Sequence, residues 1–192
     1  MTPSSHTPLK SICLLLLAGS ILAGGCVPAV SLLAIDVVRD EREPRAYWQD
    51  NKAEMDIRFS IHRNKTISDT NVSVTIWNAV VLLTGEVPDQ QAIDRILDIA
   101  KSHHYTRQVV NRIELAGRTN MASRVNDSWL TGHVKTALVV SGTVDPTRFK
   151  VVTERANVYL MGLVTSAEAT EAVLIVRSVP GVVRVIKVFE YL

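Results

Sequence analysis

The chain has 192 residues, of which 47% are hydrophobic and 21% are charged, and its formal net charge is +2. This length suits one or two small domains, and the composition is that of a globular protein rather than a disordered one. The near-neutral charge argues against a dedicated nucleic-acid binder, because such proteins usually carry a strong basic stripe.

The N-terminal segment has the pattern of a secretory signal peptide, predicted to comprise residues 1–25. Lys10 gives it a weakly positive start, and the apolar run Ile12–Ala23 follows. A membrane-spanning helix needs roughly 20 apolar residues, so this run is too short to span a bilayer, but it has the length of a signal-peptide core. We therefore expect the segment to be removed and to take no part in the fold.

The junction after this run reads LAGGC and resembles the lipobox of bacterial lipoproteins, in which a peptidase cleaves before a cysteine whose thiol carries a diacylglycerol. The resemblance implies that Cys26 is the lipid-attachment residue, bearing acyl chains such as palmitate. The other cysteine, Cys13, would leave with the signal peptide, so no intramolecular disulfide is possible and acylation accounts for the remaining thiol. The alternative is an ordinary secretory signal followed by a chance cysteine. Residues 26–45 are predicted to form the tether, which ends in the hydrophilic sequence RDEREP.

Two passages that lie 77 positions apart are nearly the same: VLLTGEVPDQQA at 81–92 and VYLMGLVTSAEA at 158–169. Gly85 falls on Gly162, and the similarity extends through most of the chain after the tether. A period near 77 residues is too long for a solenoid repeat and suits two copies of one small domain. The predicted domains are 46–115 and 124–192, joined by a short polar linker at 116–123.

Each copy is predicted to contain a helix, two short strands, a second helix and a last strand. Apolar residues spaced at i and i+4 indicate the first helix, and Asn126 or Asp127 is predicted to cap it in the second copy. The predicted strands are Val72–Ile76, Ala79–Glu86, Phe149–Thr153 and Val158–Val164, with last strands within Arg107–Leu115 and Val183–Tyr191. The second helices are predicted at about Pro88–Ser102 and Ser166–Ser178. Because a sheet buries its apolar face against another layer, both helices of a copy are expected to cover one face of its three strands.

The second copy continues from VYLMGLVTSAEA to VRSVPGVVRV, which is a strand ending in glycine, a helix, and Pro-Gly-Val before the last strand. This pattern resembles the BON domain, and Cys26 followed by two such copies resembles the dual-BON outer-membrane lipoproteins of Gram-negative bacteria. The resemblance implies an α+β fold of two tandem BON domains. Each would have the order αββαβ, with a three-stranded sheet covered on one face by two helices. The first copy departs from the signature, because HHYTR at 103–107 replaces VPGVV.

The segment Asn126–Val140 has more apolar residues than one core stripe needs. The predicted core stripe consists of Leu130, Val134, Ala137 and Leu138. Trp129 and Val140 lie beside this stripe, and tryptophan is favoured at the membrane–water interface. Lys135 can reach anionic headgroups, each such contact being worth about 1 kcal/mol. The residues alone leave two alternatives open, which are lipid contact and packing of Trp129 into a groove between the domains.

The corresponding helix of the first copy is predicted to suit a membrane less well. Lys52 stands there opposite Trp129, and Asp56 stands opposite His133. The second copy is therefore expected to have a lipid-facing helix that the first copy lacks.

In the dual-BON family, the first helix of the second domain binds anionic phospholipid, so the resemblance favours lipid contact. The phospholipid-binding residues expected on this basis are Trp129, Leu130, His133, Lys135, Thr136, Val139 and Val140. The implied partners are anionic phospholipids such as phosphatidylglycerol or cardiolipin, with envelope proteins as further partners and no nucleic acid. Because Val27 rather than aspartate follows Cys26, the implied location is the periplasmic face of the outer membrane, with a lipid anchor.

The resemblance implies a non-enzymatic role in outer-membrane integrity, concentrated at division sites. The competing function is a protein–protein adaptor for envelope assembly machinery or cell-wall hydrolase regulators, with Trp129 as a binding hot spot. The sequence proposes no catalytic set, cofactor or metal site. His103 and His104 are adjacent and would not share a helix face, and Gly85 and Gly162 lack the patterns of phosphate-binding loops, which favours a structural role for them.

Overall fold

The computed structural model describes residues 44–67, 70–117 and 121–192. The predicted signal peptide, the predicted lipid-attachment residue Cys26 and all but the last two residues of the predicted tether lie outside the described residues. Within the described ranges, the same order of elements occurs twice.

The first copy consists of helix α1 (Pro44–Arg63), strands β1 (Asn71–Trp77) and β2 (Val80–Val87), helix α2 (Gln90–Ser102) and strand β3 (Gln108–Leu115). The second copy consists of helix α3 (Met121–Ser141), a short 3-10 helix (Pro146–Arg148), strands β4 (Phe149–Glu154) and β5 (Asn157–Val164), helix α4 (Ser166–Arg177) and strand β6 (Arg184–Tyr191). Helix α3 begins inside the segment predicted as the linker.

Both sheets have the same topology. β1 pairs antiparallel with β2, and β2 pairs parallel with β3, so the strand order is β1-β2-β3. The second sheet repeats this arrangement in the order β4-β5-β6. Parallel neighbours require a crossover, which α2 and α4 provide. The predicted α+β fold with the order αββαβ in each copy is confirmed.

The turn between the first two strands takes a left-handed form in both copies. The φ angles are 50° at Asn78 and 62° at Ala79, and 49° at Arg155 and 58° at Ala156. Two successive positive φ angles are typical of a type I′ turn, whose twist matches that of the strands it joins. Residues other than glycine adopt this conformation at some cost in energy, so the turns need support from outside.

A buried aspartate from the first helix supports each turn. Asp127 accepts hydrogen bonds from the two backbone N–H groups of Arg155–Ala156 at 2.9 and 2.8 Å. Asp50 accepts them from Asn78–Ala79 at 2.9 and 3.0 Å. The prediction that Asn126 or Asp127 caps α3 is therefore wrong. The helix begins at Met121, and Asp127 lies within it with its carboxylate on the turn.

Each sheet is buried on both faces. On one face, the helices of the same copy close a core, whose most buried members include Ile57, Leu83, Ile96, Leu130, Leu160 and Val176. The opposite faces of the two sheets form a third core from Trp77, Val80, Leu82, Tyr159 and Met161. Consequently, α1 and α2 lie on one outer side of the paired sheets, and α3 and α4 lie on the other.

Polar contacts are exchanged between the two copies beside this third core. Arg155, in the β4–β5 turn, lies 2.9 Å from the carboxylates of both Glu86 and Glu114. Asn78, in the β1–β2 turn, donates a hydrogen bond to Glu190 at 3.0 Å. In the repeat, Asn78 corresponds to Arg155, and Glu114 corresponds to Glu190. The copies therefore contact each other in a nearly two-fold-symmetric manner.

Glu154 ends β4 beside these contacts. Burial, together with the negative charges of Glu86 and Asp127, raises the pKa of Glu154 from 4.5 to about 7, and the charge of Arg155 only partly offsets this rise. The folded state therefore binds the proton of Glu154 more tightly than the unfolded state does. The contribution of this protonation to the free energy of unfolding is fully present below about pH 4.5 and is lost as the pH rises through 7.

We expect Glu154→Gln to raise the free energy of unfolding at pH 8 by about 1–2 kcal/mol, after allowance for partial solvent exposure, and to change it little at about pH 4. Urea unfolding of both chains at the two pH values measures the difference. An equal gain at both pH values would contradict the raised pKa, because an uncharged packing effect does not depend on pH.

Gly85 and Gly162 allow a neighbouring chain segment to approach the end of a strand. A Cβ added to Gly85 would lie 1.8 Å from the carbonyl oxygen of Asn71, and the φ of Gly85 is +114°. A Cβ added to Gly162 would lie 2.5 Å from the carbonyl oxygen of Arg148. The structural role predicted for both glycines is confirmed.

We expect Gly85→Ala to destabilise the chain by more than about 3 kcal/mol, because both the backbone angle and the contact with Asn71 must change. The matched control is Gly132→Ala in α3, where an added Cβ would meet no atom within 4 Å. That change is expected to stabilise the helix by up to about 1 kcal/mol. Thermal unfolding compares the two variants, and similar melting temperatures would contradict the role of Gly85.

Candidate membrane-contact site

Helix α3 presents a face of exposed, mostly apolar side chains. This α3 face consists of Val125, Trp129, Gly132, Thr136, Val139 and Val140. Its large members are strongly exposed: 64% at Val125, 55% at Trp129, 56% at Val139 and 77% at Val140. The positions recur at three- and four-residue intervals, so they share one side of the helix over several turns.

The opposite side of α3 forms the predicted core stripe. Leu130, Val134 and Leu138 are at most 1% exposed and pack in the core of the second copy, and Ala137 packs against that core. Leu130 is therefore wrong as a phospholipid-binding residue, because its side chain points toward the sheet while that of Trp129 points outward.

Trp129 and His133 form a ring pair on the margin of the α3 face. Their ring centroids are 3.8 Å apart with an interplanar angle of 33°. The Nδ1 atom of His133 lies 3.1 Å from the carbonyl oxygen of Trp129, one helical turn earlier. The two rings therefore contact each other, while Trp129 as a residue stays 55% exposed.

The remaining polar groups of the α3 face make local hydrogen bonds or lie at its edge. The hydroxyl of Thr136 donates to the carbonyl oxygen of Gly132 at 2.9 Å, which reduces its need for water. Lys135 is exposed and has no carboxylate partner within the described ranges 44–67, 70–117 and 121–192. Of the predicted lipid-contact residues, all except Leu130 are thus exposed on α3, on the apolar face or along its margins.

The alternative in which Trp129 packs between the domains is contradicted by its exposure. The sheet-to-sheet core uses a different tryptophan, Trp77, which is 7% exposed. The α3 face belongs to the outer side of the paired sheets and is covered by no other described part of the chain.

A second exposed apolar face on α1 was missed by the sequence analysis. Trp48, Met55 and Phe59 are 63%, 70% and 59% exposed, and the guanidinium of Arg63 lies 5.2 Å from the ring centroid of Phe59. Lys52 and Asp56, the two α1 residues considered in the sequence, form a 3.0 Å ion pair. The spacing of the three large residues, at intervals of seven and four, was the signal that could have revealed this face.

His103, one of the two adjacent histidines considered in the sequence, contacts a carboxylate of α1. His103 Nε2 lies 3.7 Å from Asp56, whose pKa is lowered mainly by its hydrogen bond from Lys52. Within the described ranges, no group of three or more His, Cys, Asp or Glu residues is arranged to hold a metal ion. None of the described helices combines the length and apolar character that crossing a bilayer requires.

The comparisons with known proteins agree with this fold. The BON domain model matches residues 49–117 and again residues 126–192. The chain therefore belongs to the BON domain family, with two copies of the domain. It is 34% identical over 190 residues to the outer membrane lipoprotein DolP of Haemophilus influenzae. The aligned residues make up 97% of this chain and 98% of that relative. The resemblance to dual-BON proteins of the DolP type is confirmed.

Two further similarities are weaker. A 21 kDa hemolysin of Actinobacillus pleuropneumoniae is 28% identical over 153 residues, which cover 79% of each chain. Among solved structures, the C-terminal domain of CdsD, a structural protein of the type III secretion system of Chlamydia trachomatis, aligns with a TM-score of 0.30 and 12% identity over 72% of this chain and 96% of that chain. A similarity at that level supports no argument about function.

Proposed function

We propose that the chain is a non-enzymatic outer-membrane lipoprotein whose α3 face binds anionic phospholipid. The observation that carries the proposal is the outward exposure of Trp129 together with Val125, Val139 and Val140 on one helix. Lys135, exposed on the same helix, supplies a positive charge for acidic headgroups.

The expected affinity of the α3 face is weak. Each of its four large apolar side chains gains on the order of 1 kcal/mol when its exposed surface leaves water. A basic contact with an anionic surface adds about 1 kcal/mol. The total of roughly 5 kcal/mol corresponds to a dissociation constant between about 0.1 and 1 mM.

A lipid anchor makes this weak affinity sufficient. An acylated Cys26 holds the domains near one bilayer, where attachment by a short linking segment gives a local concentration in the millimolar range. Two or more acyl chains provide stable attachment, since each buried CH₂ group contributes about 0.8 kcal/mol. The tether would therefore keep the α3 face at the membrane, while Lys135 at the edge of the face favours acidic lipids.

The proposed location is the periplasmic face of the outer membrane. It is supported by the similarity to the outer membrane lipoprotein of Haemophilus influenzae and by Val27 after Cys26. The proposed ligands are phosphatidylglycerol and cardiolipin, and the proposed role is outer-membrane integrity, concentrated at division sites.

Acylation of Cys26 is tested by metabolic labelling with an alkyne analogue of palmitate in a Gram-negative host. We expect the label on the wild-type chain and its loss in Cys26→Ser, because the acceptor thiol is removed. Cys13→Ser is the matched control and should keep the label, since Cys13 lies in the predicted signal peptide. Labelling of Cys26→Ser would contradict the anchor.

Lipid contact by α3 is tested by sedimentation of the chain from Val27 onward with vesicles. We expect binding to phosphatidylglycerol vesicles, little binding to phosphatidylcholine vesicles, and weaker binding at raised salt. Trp129→Glu should weaken binding at least about tenfold, because a carboxylate replaces the largest apolar group and repels the anionic surface.

The matched control is Trp48→Glu. Trp48 has a similar exposure but lies on α1, on the opposite outer side of the paired sheets, so its replacement should leave vesicle binding unchanged. Equal losses in the two variants would contradict a site confined to α3. If the wild-type chain binds neither phosphatidylglycerol nor phosphatidylcholine vesicles, lipid binding is contradicted. That result would favour the competing function as a protein–protein adaptor.

A further inference from the structure

A groove of about 540 Å³ lies between α4 and β6 in the second domain, away from the α3 face. Its lining combines apolar and basic side chains: Val173, Arg177, Val182, Arg184, Val185 and Lys187. The valines belong to the rim of the domain core, and the three basic residues are exposed. The groove therefore offers apolar contacts beneath a positively charged opening.

The three cations of this groove lack acidic partners. Arg177, Arg184 and Lys187 make no ion pair with any carboxylate in the described part of the chain, and none of the residues lining the groove is acidic. Other basic residues of the same domain are paired, such as Arg148 with Glu168 at 3.2 Å and Arg155 with Glu114 at 2.9 Å. The groove thus concentrates positive charge that the domain itself leaves uncompensated.

The first domain repeats only one of these three charges. By strand register, Gln108 occupies the position of Arg184, and Asn111 occupies the position of Lys187. Helices α2 and α4 follow the caps Asp89 and Thr165, so Lys101 occupies the position of Arg177. Two of the three cations of the groove are therefore particular to the second domain.

Strand β6 forms one wall of the groove and is an edge of its sheet. It pairs with β5 on one side and has no strand on the other. In such a strand, alternate N–H and C=O groups point away from the neighbouring strand and are open to a further chain. Helix α4 packs against β6, and the groove lies where the side chains of an added strand would meet that helix.

We propose that β6 and this groove bind an extended acidic segment of a partner protein, which joins the sheet as a fourth strand. Side chains on the helix-facing side of the segment would contact the groove valines, and its carboxylates would pair with Arg177, Arg184 and Lys187. Main-chain hydrogen bonds supply affinity in this mode of recognition, and the side-chain contacts supply selectivity.

The positive charge also determines which strands are excluded. Basic residues on an edge strand oppose pairing with basic or purely apolar strands, which protects the protein from aggregation. An acidic strand converts the same residues into favourable cross-strand pairs. This makes the edge selective for acidic partners.

The proposal is tested with a fluorescein-labelled peptide of eight residues, the length of β6. Pairs of valines alternate in it with pairs of glutamates, so each face of the strand carries both residue types. Fluorescence anisotropy with the chain from Val27 onward should show saturable binding that weakens as salt is added. Hydrogen exchange of the β6 amides that do not bond to β5 should slow when the peptide is present. A peptide with lysine in place of each glutamate, and one with N-methylated backbone amides, should not bind.

Charge reversal locates the site. Arg184→Glu and Lys187→Glu should each weaken peptide binding about tenfold, since each turns an attraction into a repulsion. Lys101→Glu, at the end of α2 in the first domain, is the control and should bind normally. Trp129→Glu should also bind the peptide normally, which separates this site from lipid binding by α3.

Three results would overturn the proposal. One is equal binding of the N-methylated peptide, which would show attraction by charge without strand addition. Another is unchanged exchange of the β6 amides in the presence of bound peptide. The third is an equal loss of binding in Lys101→Glu, which would show that overall charge rather than the groove is responsible. Circular dichroism and thermal unfolding identify any variant that fails to fold, and Lys187→Gln then replaces Lys187→Glu.

Discussion

Packing of the two sheets against each other is the contact on which the rest of the arrangement depends. Trp77 and Leu82 from the first sheet and Tyr159 and Met161 from the second form an apolar layer with almost no exposed surface. A three-stranded sheet alone would bury one face under its helices and leave the other in water. Here the second copy covers the open face of the first, and both helical layers are directed outward.

The duplication explains how this contact is made specific. The turn between the first two strands of each copy contacts the C-terminal end of the last strand of the other copy. Arg155 thus forms an ion pair with Glu114, and Asn78 donates a hydrogen bond to Glu190. These turns hold their left-handed conformation because Asp50 and Asp127 satisfy their backbone N–H groups from within the domain. Internal support of the turn and contact between copies are therefore coupled. Surfaces away from this contact are under no such constraint, and it is there that the copies differ.

The features that follow local rules were predictable from the sequence. The i, i+4 spacing in the first helices, followed by short strand segments, predicted the αββαβ order, and the same spacing identified Leu130, Val134 and Leu138 as core. The aligned glycines at strand ends were also read correctly as structural. Each of these rests on a period or a steric requirement that a single segment contains.

Features that depend on distant partners were not predictable. Asp127 has the residue type of a helix cap, and only the position of the β4–β5 turn, 28 residues away, reveals its use. The pairing of Arg155 with Glu86 joins two copies and has no local signal. Leu130 was included among the lipid-contact residues although its own place in the core stripe opposed this. On α1, comparing only Lys52 and Asp56 with their α3 counterparts missed the exposed Trp48, Met55 and Phe59. These three residues align with Val125, Gly132 and Thr136 of the α3 face.

The outward direction of the helices restricts how the chain can use its surfaces. The α1 face and the α3 face lie on opposite outer sides of the paired sheets, so a flat bilayer in contact with α3 cannot also cover α1. With about 10 Å between packed layers, the axes of α1 and α3 are separated by roughly 30 Å. Strand β6 lies at an edge of its sheet, where its free side opens laterally rather than toward α1 or α3. A tethered chain resting on lipid through α3 would therefore keep the basic β6 edge accessible, and the two surfaces can be occupied at the same time without competing.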